Sequence, residues 1–338
     1  MSKDANQPQG HLYSLDFLRG IAALCVVLFH FTNGNSSYLQ DDNPVKIIGG
    51  FGHLGVQVFF VISGFIIPYA MHLKGYSLSD FPRFLWKRSL RIEPPYLATA
   101  ILCILLGLLS TLSPYYHGDP YPLDASLAMN LLSHIGYLTS FLGFGWLNPV
   151  FWTLAIEFQY YVLIGFLYSF LVSKNKVIQL GTILLTLCSF FLIQDNRLVF
   201  NHLPIFLFGI LLFLERYAYL SRWEFGLLFV LVLVVDFGFL DPQQVVAGLF
   251  AFVFIRFTKP SFGKKWLFLG AISYSLYLLH VPIGARMLNL SVNFIGNEYL
   301  RMLAILITIF VVIGASYFFY LMIEKPFMRI SKNVKYND

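Results

Sequence analysis

Two side chains in the first apolar stretch have chemistry that a plain lipid-facing helix does not need. In LDFLRGIAALCVVLFHF, residues 15–31, Arg19 and His30 are separated by ten residues. A helix turns about 100° and rises about 1.5 Å per residue, so eleven steps put both on one face, roughly 16 Å apart along the axis. Ionisable groups inside membrane spans face a bundle interior or a water-filled cavity. An imidazole titrates near neutral pH and can take a proton from a hydroxyl. A guanidinium presents a fork of donors that suits phosphate. Further along, FLWKRSLRIEPPY (84–96) sets Arg88 and Arg91 three residues apart, hence on one helix face. NPVFWTLAIEFQYY (148–161) carries Glu157 about one and a half turns into an apolar run. A carboxylate there is costly without a partner. Counted from the run's start, its depth matches that of His30, so the expectation is that Glu157 pairs with His30 and orients or charges the imidazole.

Such groups need helices to hold them, and the chain is rich in apolar runs. It has 338 residues, 58% hydrophobic and 12% charged, with a mean hydropathy of +0.70. Soluble domains carry about 25% charged residues, so this composition reads as all-α integral membrane. Runs long enough to span occupy 15–34, 49–72, 92–112, 151–172, 177–194, 198–214, 224–240, 243–257, 266–284 and 299–323. The segment 127–147 is apolar but broken by Asn130, His134 and glycines. The positive-inside rule decides its status. With ten spans and both termini cytoplasmic, only Lys46, Arg197, Arg286 and Arg301 of the 23 basic residues fall outside. An eleventh span over 127–147 would put 13 of the 23 outside. The expected architecture is therefore about ten transmembrane helices, with 127–147 re-entrant or interfacial. Residues 1–14 form a cytoplasmic tail, 15–324 the polytopic unit, and 325–338 a second cytoplasmic tail.

The net charge of +6 belongs to cytoplasmic loops and does not imply nucleic acid. Cys25, Cys103 and Cys188 each lie in an apolar run and read as small buried side chains. Neither they nor His11, His53, His72, His117, His134 and His202 show ligand spacing, so no metal is expected. The N-terminal MSKDANQPQGHLYS has a single basic residue, Lys3, and no small-residue cleavage site follows the first run. That run reads as a retained span rather than a signal peptide. The interior groups together describe a polarised pore, with arginines at its cytoplasmic mouth and a candidate base near its outer end. Arg19 also reads as an interfacial anchor, and Arg88 and Arg91 as topology signals.

At these residues the chain resembles the acyltransferase 3 family of bacterial membrane acyltransferases, over about residues 11–328. The first-span stretch with Arg19 and His30 is similar to the family's opening signature. GHLGVQVFFVISGFIIP, with Ser63, Gly64 and Phe65, resembles its second-span signature, and RSLRIEPPY its Arg-x-x-Arg element. FWTLAIEFQYY resembles its Trp-containing acidic motif, and LGAISYSLYLLHVPI its late-span motif, with Ser273, Tyr274, Tyr277 and His280. Gln57 departs from the acidic residue that many relatives carry there. The resemblance implies a multi-pass enzyme of the bacterial cytoplasmic (inner) membrane. It would transfer an acyl group, commonly acetyl, from acyl-CoA (acetyl-CoA) to a hydroxyl, often on a cell-surface or lipid-linked glycan. His30 would be the base, supported by Glu157, and Arg19, Arg88 and Arg91 would bind coenzyme phosphates. Trp152, Ser273, Tyr274 and His280 would contact substrate or bond neighbouring helices. Tyr115, Tyr116, Tyr121, Trp146 and Trp152 would stack on a sugar or form an interfacial belt. Some relatives append an extracytoplasmic esterase-like domain, and this chain is expected to transfer without one or with a separate partner. Two alternatives stay open: a glycan or lipid transporter or flippase without acyl-transfer chemistry, and transfer to a small lipophilic acceptor.

Overall fold

The computed structural model describes residues 12–115 and 124–336. His11, Tyr116, His117 and Tyr121 lie outside the described residues. The described chain holds fourteen α-helices and no strand. They are α1 (Tyr13–Asn33), α2 (Pro44–Gly50), α3 (Gly55–Leu73), α4 (Phe81–Thr111), α5 (Ala125–Ser133), α6 (Phe151–Leu171) and α7 (Lys176–Leu192). After them come α8 (Leu203–Arg216), α9 (Arg222–Phe239), α10 (Pro242–Phe257), α11 (Leu267–Leu279), α12 (Arg286–Ser291), α13 (Glu298–Phe319) and α14 (Lys325–Asn333).

All ten expected runs are helical. Seven helical stretches are long and apolar enough to cross a membrane: Tyr13–Asn33, Pro44–Leu73, Leu78–Thr111, Phe151–Leu171, Val199–Arg216, Lys264–Ser291 and Glu298–Asn333. The protein is thus a multi-pass membrane protein. The remaining runs are shorter or more charged. α10 has 16 residues, about 24 Å of helix against a hydrocarbon core of about 30 Å. α9 contains Arg222, Glu224 and Asp236. The segment 127–147 does not form one helix: α5 has nine residues, and a short 3-10 turn with Gly136 at φ 70° follows. The structure also moves one boundary. Prolines at 94 and 95 do not start a helix here, and α4 runs unbroken from Phe81. Arg88 and Arg91 therefore sit well inside a helix, not at its mouth.

Close backbone approach organises the bundle around α1. A side chain on Gly20 would strike Leu269, and one on Gly270 would strike Asp16, so α1 and α11 cross closely. Gly52 and Gly55 meet the carbonyls of Cys25 and Ala22 in the same way, seating the start of α3 against α1. A second close crossing joins α3 to α8. Gly64 rests on the Phe206 carbonyl and Gly209 on the Val61 carbonyl. Small residues at such crossings let helices gain dispersion contact where lipid supplies no hydrophobic drive.

Proline places the irregular turns. Pro282 has no N–H for the Leu278 carbonyl four residues back, and the Asn148 amide donates to that carbonyl instead at 2.9 Å. From His280 to Ala285 the chain opens into a π-turn. A second π-turn spans Tyr320–Glu324. Such turns often mark functional positions. In the loop after α1, the buried Lys46 donates to the carbonyls of Ser36 and Leu39 and to Asp41, and Arg301 to those of Ser37 and Tyr38. These two basic residues lock that loop.

The α3–α8 crossing yields a stability test. Gly209→Ala should destabilise by about 1–3 kcal/mol through overpacking against backbone. Gly226→Ala, on α9 with nothing within 4 Å, should be neutral or stabilising by up to about 1 kcal/mol through lower unfolded-state freedom. Thermal unfolding midpoints of the two purified variants in one detergent check the opposite signs.

Candidate active site

A cavity opens between α1, α3, α4, α6 and α11, with about 1040 Å³ of non-atom space including its mouth. Arg19, Arg88 and Arg91 line it together with Glu157 and Glu324. The three guanidiniums expected to lie together therefore do so. Among the described residues none of the three has a carboxylate within ion-pair distance. Arg88 is 9% exposed, its Nε has no hydrogen-bond partner, and its guanidinium lies 5.4 Å from the ring centroids of both Phe84 and Tyr161. The carboxylates are bonded elsewhere. Glu157 accepts from Tyr161 at 2.5 Å and from Ser63 at 3.1 Å. Glu324 accepts from the Ser275 hydroxyl at 2.6 Å and its N–H at 3.2 Å. Buried charge is expensive unless it is paired. Three guanidiniums facing open space with their donors unspent thus form an anion receptor. Ile62, Ile66, Ile67 and Phe59 form an apolar part of the wall, and Ser63, Thr153 and three tyrosines add hydroxyls.

His30 lies elsewhere, and this corrects the expected His30–Glu157 pair. The imidazole lines a separate pocket with Gly34, Asn35, Tyr38, Pro149, Val281 and Asn289. Its Nδ1 is 3.0 Å from the Val26 carbonyl and 3.2 Å from His280 Nε2. His280, fully buried, has Nδ1 3.2 Å from the Leu276 carbonyl. Carbonyls only accept, so His280 carries its proton on Nδ1 and offers Nε2 as an acceptor. His30 is then the donor on Nδ1, and its Nε2 keeps a free lone pair toward the pocket. These tautomers follow from the hydrogen-bond network. An imidazole held this way has one ring nitrogen able to accept a proton.

The physical reason for the correction is the start of α6. Asn148, Val150 and Phe151 are all buried, so the helix begins inside the bundle and not at its surface. Pro149 touches the His30 pocket, while Thr153 and Glu157 face the arginine cavity. Glu157 is therefore farther in than its distance from the run's start implies.

A layer of side chains lines the arginine cavity on the side of the histidine pair. The Tyr277 hydroxyl is 2.6 Å from the Thr153 hydroxyl, and Phe59 packs edge-on to Tyr277 with centroids 5.8 Å apart. All three side chains line the arginine cavity. His280 follows one turn later, 5.8 Å from the Tyr277 ring. Along α1, across the start of α6 and across the end of α11, the residues of one cavity and those of the other lie about one to four turns apart. The cavities are thus stacked along the bundle axis.

The second-rank residues separate. Tyr274 lines the arginine cavity, and its hydroxyl donates to the Ile92 carbonyl at 2.6 Å. Ser273 bonds the Gly270 carbonyl and lines neither cavity. Trp152 is exposed and packs on His202, with centroids 5.9 Å apart. Among the described members of the aromatic set, Tyr115 packs on Phe294 and Trp146 on His134, in separate places. Ser63, Thr153, Tyr161, Tyr277 and Glu324 carry site contacts that sequence reasoning did not assign. Tyr161 had a usable signal, being four residues from Glu157 on one helix face. Glu324 had another, as an acidic group at the end of the last apolar run. Among the described residues, no three His, Cys, Asp or Glu side chains group as metal ligands would.

Comparisons with known proteins bear on this arrangement. O-acetyltransferase OatA of Staphylococcus aureus (strain NCTC 8325 / PS 47) is 28% identical over 322 aligned residues, covering 81% of this chain and 50% of OatA. The O-acetyl transferase of Shigella phage Sf6 is 28% identical over 201 residues, covering 57% of each chain. The chain spans about half the length of these curated relatives. No solved structure matches it. The family model described as an acyltransferase domain matches residues 12–321, nearly the whole described bundle, and the chain belongs to that family, the acyltransferase 3 family.

Proposed function

We propose that the protein is a membrane O-acyltransferase of the bacterial cytoplasmic membrane, with ten spans and both termini cytoplasmic. It takes an acyl group, acetyl in the simplest case, from cytoplasmic acyl-CoA. It delivers that group to a hydroxyl of a cell-surface or lipid-linked glycan. The observation that carries this reading is the stacking of two unlike cavities: unpaired guanidiniums line one, and a free imidazole nitrogen faces the other. A transferase needs an anion receptor for the donor and a base for the acceptor, and it needs them at opposite ends of one path. The O-acetyltransferase names of the relatives agree with the chemistry.

In this reading Arg19, Arg88 and Arg91 hold the coenzyme diphosphate, and the apolar wall takes the pantetheine arm. Glu157 belongs to the donor side, where it fixes Tyr161 and Ser63 beside the arginines. The thioester lies at the Tyr277–Thr153–Phe59 layer. His30 Nε2 takes the proton from the acceptor hydroxyl. The acyl carbon exchanges its sulfur for that oxygen, and the coenzyme sulfur leaves with the proton. His280 is a positioning residue. Together with the Val26 carbonyl it accepts from the His30 Nδ1–H, which holds the ring so that the reactive lone pair is on Nε2.

Transfer of labelled acetyl from acetyl-CoA in membranes tests the two ends separately. His30→Ala should lower kcat by about 10²–10⁴-fold, the usual worth of a general base, with little change in donor KM. Arg88→Ala should raise donor KM about tenfold or more, as loss of a charge-assisted hydrogen bond does. Wild-type transfer rates in His30→Ala would defeat the assignment. Normal acyl content per molecule with lost movement of a glycan or lipid would favour the transport alternative.

His280 has its own test. Gln can accept from the His30 Nδ1–H and Leu cannot. His280→Leu should cost about tenfold in kcat and alter the pH–rate profile. His280→Gln should restore most of the rate at unchanged donor KM, since a lost neutral hydrogen bond is worth about 0.5–1.5 kcal/mol. Equal rates for the Leu and Gln variants would show that His280 only fills space.

A further inference from the structure

Next to Arg88 of the arginine cavity lies a second basic group that the reaction above leaves unused. Lys74, exposed at the end of α3, and Lys87, half-buried on α4, both lie over the Tyr336 ring, 5.5 and 5.6 Å from its centroid. The two ammoniums thus share one aromatic ring, and Lys87 directly precedes Arg88 of the cavity wall. Like charges brought together repel, and among the described residues neither lysine has an ion pair to relieve that repulsion. The Lys87 ammonium donates once, to the Val334 carbonyl at 2.8 Å. The neighbouring carboxylate of Asp80 is engaged by the Ser77 N–H and hydroxyl, at 3.0 and 2.9 Å.

The chain spends structure to hold this pair. Residues after α14 return beneath α4, and Tyr336 packs edge-on to Tyr76 with centroids 5.9 Å apart. Tyr76 packs on Phe84 at 5.6 Å, and Phe84 lies under the Arg88 guanidinium. An unbroken aromatic path thus ties the lysine pair to the arginine cavity. The result is two neighbouring cationic groups of different depth: a guanidinium cluster inside and a more exposed ammonium pair beside it.

That arrangement matches one feature of coenzyme A. The molecule carries a diphosphate next to its pantetheine arm and a separate phosphate on the ribose 3′-oxygen. We propose that Lys74 and Lys87 form the subsite for this 3′-phosphate, while the arginines take the diphosphate. The inference rests on the acyl-CoA donor reading above. Ammonium suits the outer position, since it binds phosphate as a point charge without demanding fork geometry.

The experiment compares acetyl-CoA with acetyl-3′-dephospho-CoA as donors for purified protein in lipid nanodiscs. The wild type should show a donor KM about tenfold lower for acetyl-CoA. The Lys74→Gln/Lys87→Gln double variant should lose that preference, its KM for acetyl-CoA climbing to that of the dephospho donor. An unfolding midpoint near that of wild type shows that the variant is folded, and the amide introduced at position 87 can still donate to the Val334 carbonyl. Equal KM values in the wild type, or a preference kept by the variant, would overturn the subsite and leave the donor reading standing. If neither donor is used, calorimetric binding of adenosine 3′,5′-bisphosphate separates the two ideas. Binding that the double variant loses keeps the subsite while the donor reading falls. Binding that is absent, or indifferent to the lysines, overturns the subsite too.

Discussion

The crossing of α1 and α11 is the constraint on which the site depends. Gly20 and Gly270 contribute no side chain of their own, so each helix seats closely against the backbone and Cβ of Leu269 or Asp16 on the other. Two helices fixed at that distance have little freedom to rotate or slide, because a shifted register would drive Leu269 or Asp16 into the opposite backbone. The crossing lies toward the start of each helix, and the consequences appear farther along. Arg19, within the crossing, and Tyr274, about one turn beyond it, face the same cavity. About ten residues beyond it, His30 and His280 meet ring to ring, with centroids 4.9 Å apart. Neither histidine needs a loop to find the other. A rigid pair of helices sets their spacing, which is what a proton acceptor of fixed tautomer requires.

Regular helix is abandoned where polar groups must turn inward. His280 opens a π-turn and Glu324 closes another. In both, the changed register rotates the following residues relative to those before. The exposed backbone polarity is met locally, as in the Asn148 bond to the Leu278 carbonyl beside Pro282. An unmet carbonyl in this setting would cost several kcal/mol in hydrocarbon, about what a lone buried polar group loses. The asparagine that supplies the bond sits in the same stretch that begins α6, so the turn after His280 and the depth of Glu157 are set together.

These features divide what the sequence discloses from what it hides. Apolarity accumulates residue by residue, so helices at 15–34 or 299–323 can be read without a structure. The spacing of Arg88 and Arg91, and their company with Arg19, follow from helix periodicity and from charge that hydrocarbon rejects. Depth was harder. Counting from the first apolar residue of a run assumes that the run begins at the membrane surface. For α6 it does not, because the segment ahead of it descends into the bundle and buries Asn148 and Phe151. Azimuth was harder still. Periodicity gives faces within one helix, but which neighbour a face meets is set by crossings such as Gly20 on Leu269. That is why His30 met His280, 250 residues away, and Glu157 met Ser63 and Tyr161. The lysine pair at 74 and 87 carried no signal, since each reads alone as an ordinary cytoplasmic charge.

The stacked cavities make sense of the charge pattern on the proposed reading. A coenzyme thioester joins a small neutral acyl group to a large polyanion. Moving the anion through hydrocarbon would cost far more than moving the acyl group, as centre-of-membrane charge always does. A receptor rich in guanidinium and ammonium holds the anion on the inner side. The Tyr277–Thr153–Phe59 layer then needs to admit only the acyl group. The base need not approach the phosphates either: placed beyond the layer, it meets the acceptor without facing the arginines, whose positive charge would oppose the imidazolium that forms as it takes the proton. Separating His30 from the arginine cavity, which contradicted the simplest reading of the sequence, is therefore what a transferase with its substrates on opposite sides of a membrane requires.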